Sequence, residues 1–305
     1  MHQTPLQHST TFSAMTGTEI YMKLESLQKT GAFKLRGAYN KIALLPEAER
    51  RLGVVTASAG NHAQGVACAA SAFGVPATVF MPVSAPQSKR LATENYGSQV
   101  MLVGSNYDEA YAAARSYAKE TGAAFVHAFD DPDVIAGQGT IGLDIMDELP
   151  DAETIVVPIG GGGLISGVAL AAKTINPSIR IIGVQPEKSN AMALSYHNKQ
   201  LIPIESPASI ADGLNVKRPG NIPFSMIRRL VDEVVTVPEE AIMHAMLLYL
   251  ERAKQLVEGA GAVSLAAILG GFVDVRGKRT VAIVSGGNVD LTRIGALAQL
   301  QANHK

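Results

Sequence analysis

The chain has 305 residues, nearly half of them apolar, with 26 basic against 27 acidic side chains. That length suggests about two domains, and the balanced charge without a Lys/Arg stripe excludes a nucleic-acid footprint. No apolar run reaches the roughly 18 residues needed to cross a bilayer, the start Met1-His2-Gln3-Thr4-Pro5 lacks a signal pattern, and the single cysteine, Cys68, excludes an internal disulfide or a Cys-based zinc cluster.

The expectation is therefore a soluble, cytoplasmic, enzyme-like protein with no membrane partner. Cys68 lies in an apolar helical stretch and reads as a buried small residue. The seven histidines show no metal-ligand spacing, so no metal site is expected.

In chain order, residues 19–25 alternate as a strand does. The stretch Gly31-Ala32-Phe33-Lys34-Leu35-Arg36-Gly37 follows, and then Ala38, Ile42, Ala43 and Leu45 recur at helical spacing. Lys34 thus stands at a strand–turn–helix junction between two apolar side chains. Desolvation and a helix N-terminus both disfavour its ammonium form and lower its pKa from about 10.4. The product is neutral amine, which a Schiff-base lysine needs. By itself the stretch reads rather as an ordinary lysine in the first turn of a helix.

Strands are predicted at 54–57, 77–81, 100–103 and 125–127, with helices at 63–73, 89–96 and 108–121. A second strand series falls at 155–159, 181–184, 234–237 and 281–284. Among its helices are 165–173 and a long one from Pro238 to about Val257, with Ile242, Met246, Tyr249, Ala253 and Leu256 on one face. Asp130-Asp131-Pro132-Asp133 reads as a solvated turn at a domain crossing rather than a metal cluster. Apolar strands separated by helices mean an α/β protein with two parallel-type open sheets covered by helices. Ligands of such sheets bind at the carboxyl ends of strands.

Three loops stand at such ends. Gly160-Gly161-Gly162-Gly163-Leu164 opens a helix, so successive backbone N–H groups and the helix N-terminus can converge on an anion. The dinucleotide fingerprint fails because Ile165 stands where its third glycine belongs, and no G-K-[ST] follows for a Walker loop. A phosphorylated cofactor fits better than a nucleotide. Ser58-Ala59-Gly60-Asn61-His62 follows the strand at 54–57. Ser58 and Asn61 are candidate N-caps there, and the free N–H groups can hold a substrate carboxylate. Ser285-Gly286-Gly287-Asn288 follows the strand at 281–284 and is a candidate for the far side of the same ligand. Glu258-Gly259-Ala260-Gly261-Ala262 is expected to end the long helix, close to the cleft.

Together, residues 30–37, 58–65, 160–163 and 285–288 resemble the pyridoxal-phosphate enzymes of fold type II, in the threonine dehydratase and serine racemase branch. The resemblance runs from about Thr4 to Arg293. It implies a tryptophan synthase β-like fold, with a large domain from 1–52 and 132–305, a small inserted domain from 53–131 and pyridoxal 5′-phosphate in the cleft. It implies Lys34 as the Schiff-base lysine and α-proton base. Phe33 and Asn61 are implied beside the pyridine ring, Asn61 at its 3-hydroxyl. Gly160, Gly161, Gly162, Gly163 and Leu164 are implied as the phosphate cup, and Ser285 as the partner of the ring nitrogen. Ser58, Ala59, Gly60, Asn61 and His62 are implied as the substrate loop, and Glu258 as an acid near the substrate.

The resemblance also implies the reaction, deamination of L-threonine to 2-oxobutanoate and of L-serine to pyruvate. Gln185-Pro186-Glu187 and Ala211-Asp212-Gly213 look more like catabolic threonine dehydratases than racemases. Serine racemases carry a serine where this chain has Ala59, and alanine transfers no proton. Magnesium-activated members carry a glutamate where this chain has Gln185. Elimination from threo-3-hydroxyaspartate, racemisation of serine, and a non-enzymatic phosphate-binding module are the alternatives. Departures are Ala32 in place of the usual serine and a short arm before Thr4-Pro5, and no regulatory domain is expected after Gln301. A homodimer or homotetramer is implied by the family alone.

Overall fold

The computed structural model describes residues 1–290 and Gly295. The reach of the resemblance to Arg293, the last part of the expected large domain and the expectation after Gln301 lie outside them. The strands are Leu6–His8 (β1), Ile20–Leu24 (β2), Val54–Ala57 (β3), Ala77–Met81 (β4), Gln99–Leu102 (β5), Ala124–Phe125 (β6), Thr154–Pro158 (β7), Arg180–Pro186 (β8), Glu233–Val237 (β9) and Thr280–Val284 (β10). They form two sheets, with orders β1-β2-β10-β7-β8-β9 and β5-β4-β3-β6. Every neighbour pair is parallel except β1 with β2. Strands β3, β4, β7 and β10 bury every residue, which is why each reads as an unbroken apolar run.

The sheet order positions the loops. Strand β10 lies between β2 and β7, with Val284 opposite Leu24 and Ala282 opposite Val156. The segments after β2, β10 and β7 carry Lys34, Ser285 and the four glycines, so the three leave one sheet side by side. In the other sheet β3 pairs with β6, which sets the Ser58 loop beside the segment after Phe125.

The helix Lys34–Leu44 joins the two sheets. Its Leu35, Ala38 and Ile42 share an apolar cluster with Val54, Val66 and Ala69 of the smaller sheet's layer. Its far side crosses the helix Pro132–Glu148 where a Cβ on Gly137 would stand 2.6 Å from the Gly37 Cα and the Arg36 carbonyl. Lys34 therefore sits at the seam between the sheets.

Several expectations are corrected. The helix expected over 238–257 runs only from Glu239 to Leu248, then widens into a π-turn over Tyr249–Ala253 and stops at Lys254, whose φ is +57°. Leu256 is exposed instead of lying on the buried face. Glu258 does not end that helix; it precedes the next one, Gly259–Leu269. The Asp130–Asp133 turn is a helix start. Asp131 accepts from the Asp133 and Val134 N–H groups, Pro132 occupies the first turn, and Lys41 pairs with both Asp131 and Asp133. Neither Ser58 nor Asn61 caps the helix Asn61–Phe73, because Gly60 holds that position with no side-chain bond.

Candidate active site

Lys34 is the first residue of its helix and is half-buried. Its Nζ donates to the Ala128 carbonyl at 2.9 Å and lies 5.0 Å from the centre of the Phe33 ring. Among the described residues it makes no ion pair. Burial lowers its pKa to about 8, and the Glu258 charge opposes part of that fall. The segment is pinned to the β10 loop, since Phe33 N–H donates to the Ser285 carbonyl at 3.1 Å and Ala32 forms a bridge with Gly286. The Ser285 hydroxyl is buried and donates to the Ala260 carbonyl at 3.2 Å, a long bond that a ligand can replace.

The loop after β3 faces these groups. Asn61 Nδ2 donates to Glu258 Oε1 at 2.8 Å, and Asn61 Oδ1 accepts from Asn288 Nδ2 at 2.9 Å. Gly60 N–H donates to Ser58 Oγ, while the N–H groups of Ala59, Asn61 and His62 meet no acceptor among the described residues. Those three donors suit a carboxylate. The His62 ring turns away and is buried, with Nε2 against the Val126 carbonyl at 3.0 Å. Burial, followed by the Lys34 charge, drives its pKa down to about 3, so it is a neutral donor to Val126. Glu258 is also buried, and its pKa rises to about 8 through burial and then the Asp212 charge. That favours the protonated form of its carboxyl near neutral pH.

The four glycines form a bare N-terminus for the helix Gly163–Ile175. No side chain caps it, and the N–H groups of Gly160, Gly161, Gly162 and Gly163 donate to no acceptor among the described residues. Gly162 has φ +100°, which a side chain would strain. A Cβ on Gly161 or Gly163 would stand 2.3 Å or 2.9 Å from Phe129, so glycine is what lets Phe129 lie against the loop. Leu164 is buried behind it. Buried N–H groups are almost always paired, so this cluster marks a place built for an anion.

Phe129, the Ala128 carbonyl and His127 were not legible in the sequence. The strand expected at 125–127 is only Ala124–Phe125, so His127 belongs to the loop that follows it. His127 Nδ1 accepts from the N–H groups of Asp130 and Phe129, and its ring meets Phe129 edge-on at 4.7 Å. Asn288 was legible only as the last letter of a motif.

A family model described as "Pyridoxal-phosphate dependent enzyme" matches residues 1–286. The chain belongs to that family. Among this family's members, an L-threonine ammonia-lyase of Thermotoga maritima is 55% identical over 294 residues, covering 96% of this chain and 73% of the relative. A catabolic L-threonine dehydratase of Escherichia coli is 45% identical over 299 residues, covering 97% of this chain and 91% of the relative. In structure the chain is similar to the processed form of threonine deaminase isoform 2 from Solanum lycopersicum, with a TM-score of 0.94, 38% identity, and 98% and 83% of the two chains covered. Maize serine racemase gives a TM-score of 0.93 at 40% identity, covering 100% of this chain and 94% of that one.

The residues present fit the pyridoxal phosphate that defines the family. The orphaned N–H cluster of the glycine loop suits a phosphate, and an amine held without a counter-ion suits an aldehyde. Gln185 donates from Nε2 to the Ile159 carbonyl at 3.2 Å and accepts from the Ala193 N–H at 2.8 Å.

Proposed function

We propose that the protein is a threonine ammonia-lyase, converting L-threonine to 2-oxobutanoate and ammonia and L-serine to pyruvate and ammonia. The observation that carries this reading is a lysine amine with its pKa lowered to about 8, without an ion pair, at a seam whose neighbouring loop offers four unpaired N–H groups. Pyridoxal phosphate, when bound, supplies the electron sink that makes the α-proton of an amino acid removable.

The chain's own groups do the rest. Gly160, Gly161, Gly162, Gly163 and Leu164 hold the phosphate on their N–H groups and the helix N-terminus. Phe33, Asn61 and Ser285 border the ring. Ala59, Asn61 and His62 present the N–H groups that take the substrate carboxylate, on a loop that Ser58 and Gly60 hold in shape through their own bonds. Lys34, neutral for a substantial fraction of the time near pH 8, accepts the α-proton at Nζ. Glu258, with its protonated form favoured by burial, lessens the negative charge beside the substrate. Ser285 carries no charge, so it does not compel a protonated ring nitrogen.

The domains in this reading are 1–52 with 132–305, and 53–131, which closes over the substrate. Three ion pairs among the described residues span that division, Lys41 with Asp131 at 2.9 Å, Lys89 with Asp212 at 3.3 Å and Lys217 with Asp108 at 2.6 Å. They favour a closed cleft that keeps water from the reacting centre. The assembly is a homodimer or homotetramer in the cytoplasm. No helix among the described residues is long and apolar enough to cross a membrane. Elimination is favoured over racemisation because Ala59 has no group that can carry a proton.

The test is the visible spectrum of the purified protein with pyridoxal phosphate, then addition of L-threonine with 2-oxo acid detection. The expected result is a cofactor band that borohydride fixes onto Lys34, with 2-oxobutanoate released. A band without 2-oxo acid overturns the lyase assignment, and its absence overturns the cofactor site.

A further inference from the structure

Asn288 closes the Ser285-Gly286-Gly287-Asn288 motif, and none of the steps above uses it. Its Nδ2 donates twice, to the Thr30 carbonyl at 2.8 Å and to Asn61 Oδ1 at 2.9 Å. A backbone carbonyl only accepts, so the Asn288 carboxamide has one possible orientation there. That in turn settles Asn61, whose oxygen must face Asn288. The Asn61 Nδ2 group is left on the other side, with one hydrogen on Glu258 Oε1 at 2.8 Å and one hydrogen uncommitted.

The surroundings are shaped for this chain of amides. A Cβ on Gly31, whose φ is +74°, would stand 2.3 Å from Asn288 Oδ1. A Cβ on Gly286 would stand 2.5 Å from Glu258 Oε1. Glycines at 31 and 286 thus clear the volume that Asn288 and Glu258 occupy.

We infer that Asn288 is a positioning residue that fixes the Asn61 carboxamide with its N–H side toward the cofactor and Glu258, so that Asn61 can meet the ring oxygen of the cofactor only as a donor. This rests on the cofactor placement proposed above. The Thr30 carbonyl is the origin of the polarity. It lies in the segment that carries Lys34, so the orientation of Asn61 is referenced to the same segment as the reactive amine.

The test uses purified protein titrated with pyridoxal phosphate, reading the visible band of the bound cofactor and its dissociation constant. Asn288→Asp has the same shape but cannot donate to Thr30 or Asn61, so Asn61 turns over and offers its oxygen to the cleft. Asn288→Ser retains one donor without adding charge. The expected result is a displaced band in both variants, in the direction given by Asn61→Ala, and about tenfold weaker cofactor binding, the size of one hydrogen bond. The Asn61→Ala, Asn288→Ser double variant is expected to bind no more weakly than Asn61→Ala alone. A band and affinity unchanged in both Asn288 variants while Asn61→Ala alters them would overturn the inference alone, as would losses that multiply in the double variant. A wild-type protein without a cofactor band would overturn the function proposed above and this inference with it.

Discussion

Lys34 and Arg36 stand two residues apart on the same helix turn, and the fold treats their charges in opposite ways. Arg36 is buried against Glu25 in a two-bond fork at 2.8 Å each, with Asp144, Thr140 and Thr4 completing its donors. Burial lowers its pKa, but those partners outweigh that effect and raise it. Close by, Lys23 is fully buried and reaches Glu148 at 2.7 Å and the Thr4 carbonyl at 2.8 Å. Among the described residues Lys34 receives one carbonyl and no ion pair, and its pKa falls. One cation is kept charged as a structural joint, and the other is kept close to neutral for chemistry. The difference lies in how many acceptors the rest of the chain delivers, because both sites are desolvated.

Removing each group in turn tests the contrast. Lys34→Ala is expected to reduce turnover by about a thousandfold or more, with the melting temperature unchanged or raised, since an uncompensated buried amine is removed. A large fall in melting temperature together with lost activity would place Lys34 among the structural charges.

Arg36→Met is expected to act the other way round. It leaves Glu25 buried without a counter-charge and costs about 3–5 kcal/mol of stability in urea unfolding, with turnover per folded molecule nearly retained. Stability within a few tenths of a kcal/mol of wild type would mean that the network is dispensable.

The smallest effect concerns Glu258. In the protein without cofactor its pKa rises to about 8, above that of the unfolded chain. The folded state therefore holds a proton that the unfolded state releases, and this stabilising contribution is lost as pH rises through 8. Glu258→Gln is expected to flatten that decline between pH 5 and pH 8. The lowered Lys34 pKa acts in the neighbouring window, adding stability as pH rises from about 8 toward its ordinary value. A pH–stability curve of the same shape in wild type and Glu258→Gln would show that the Glu258 carboxyl is not protonated.

The sequence showed the parts of the fold that repeat a local signal. Strands β3, β4, β7 and β10 were legible because each is an unbroken apolar run, and Lys34 and the four glycines because a strand and a helix start bracket them. The helix Pro132–Glu148 was missed because an Asp-Pro helix start looks like a turn and the run beyond it carries glycines at 137, 139 and 142. Those glycines are needed for close helix crossings, against Gly37, Gly167 and Val168, and nothing local announces a crossing. The long helix was extended too far because Ala253 and Leu256 continue its period, and the break falls at Lys254, a residue type with no preference for positive φ. Asn288 was visible only as the end of the Ser285-Gly286-Gly287-Asn288 motif, and Ala128 and Phe129 not at all as site residues, because their roles depend on partners far away in the chain.

The strand order has a consequence for how the protein is made. The smaller sheet is drawn from one contiguous stretch, residues 54–125, and its pairings are available soon after that stretch leaves the ribosome. The larger sheet puts β2 beside β10, so a strand among the first to emerge waits for one among the last. Until residues 280–288 have been synthesised, the Lys34 segment lacks both the Ser285 carbonyl that pins it and the Asn288 amide beside it. A nascent or truncated chain can therefore hold a folded small sheet and still carry only an ordinary, solvated lysine. The reactive amine is complete only with β10, the latest strand among the described residues.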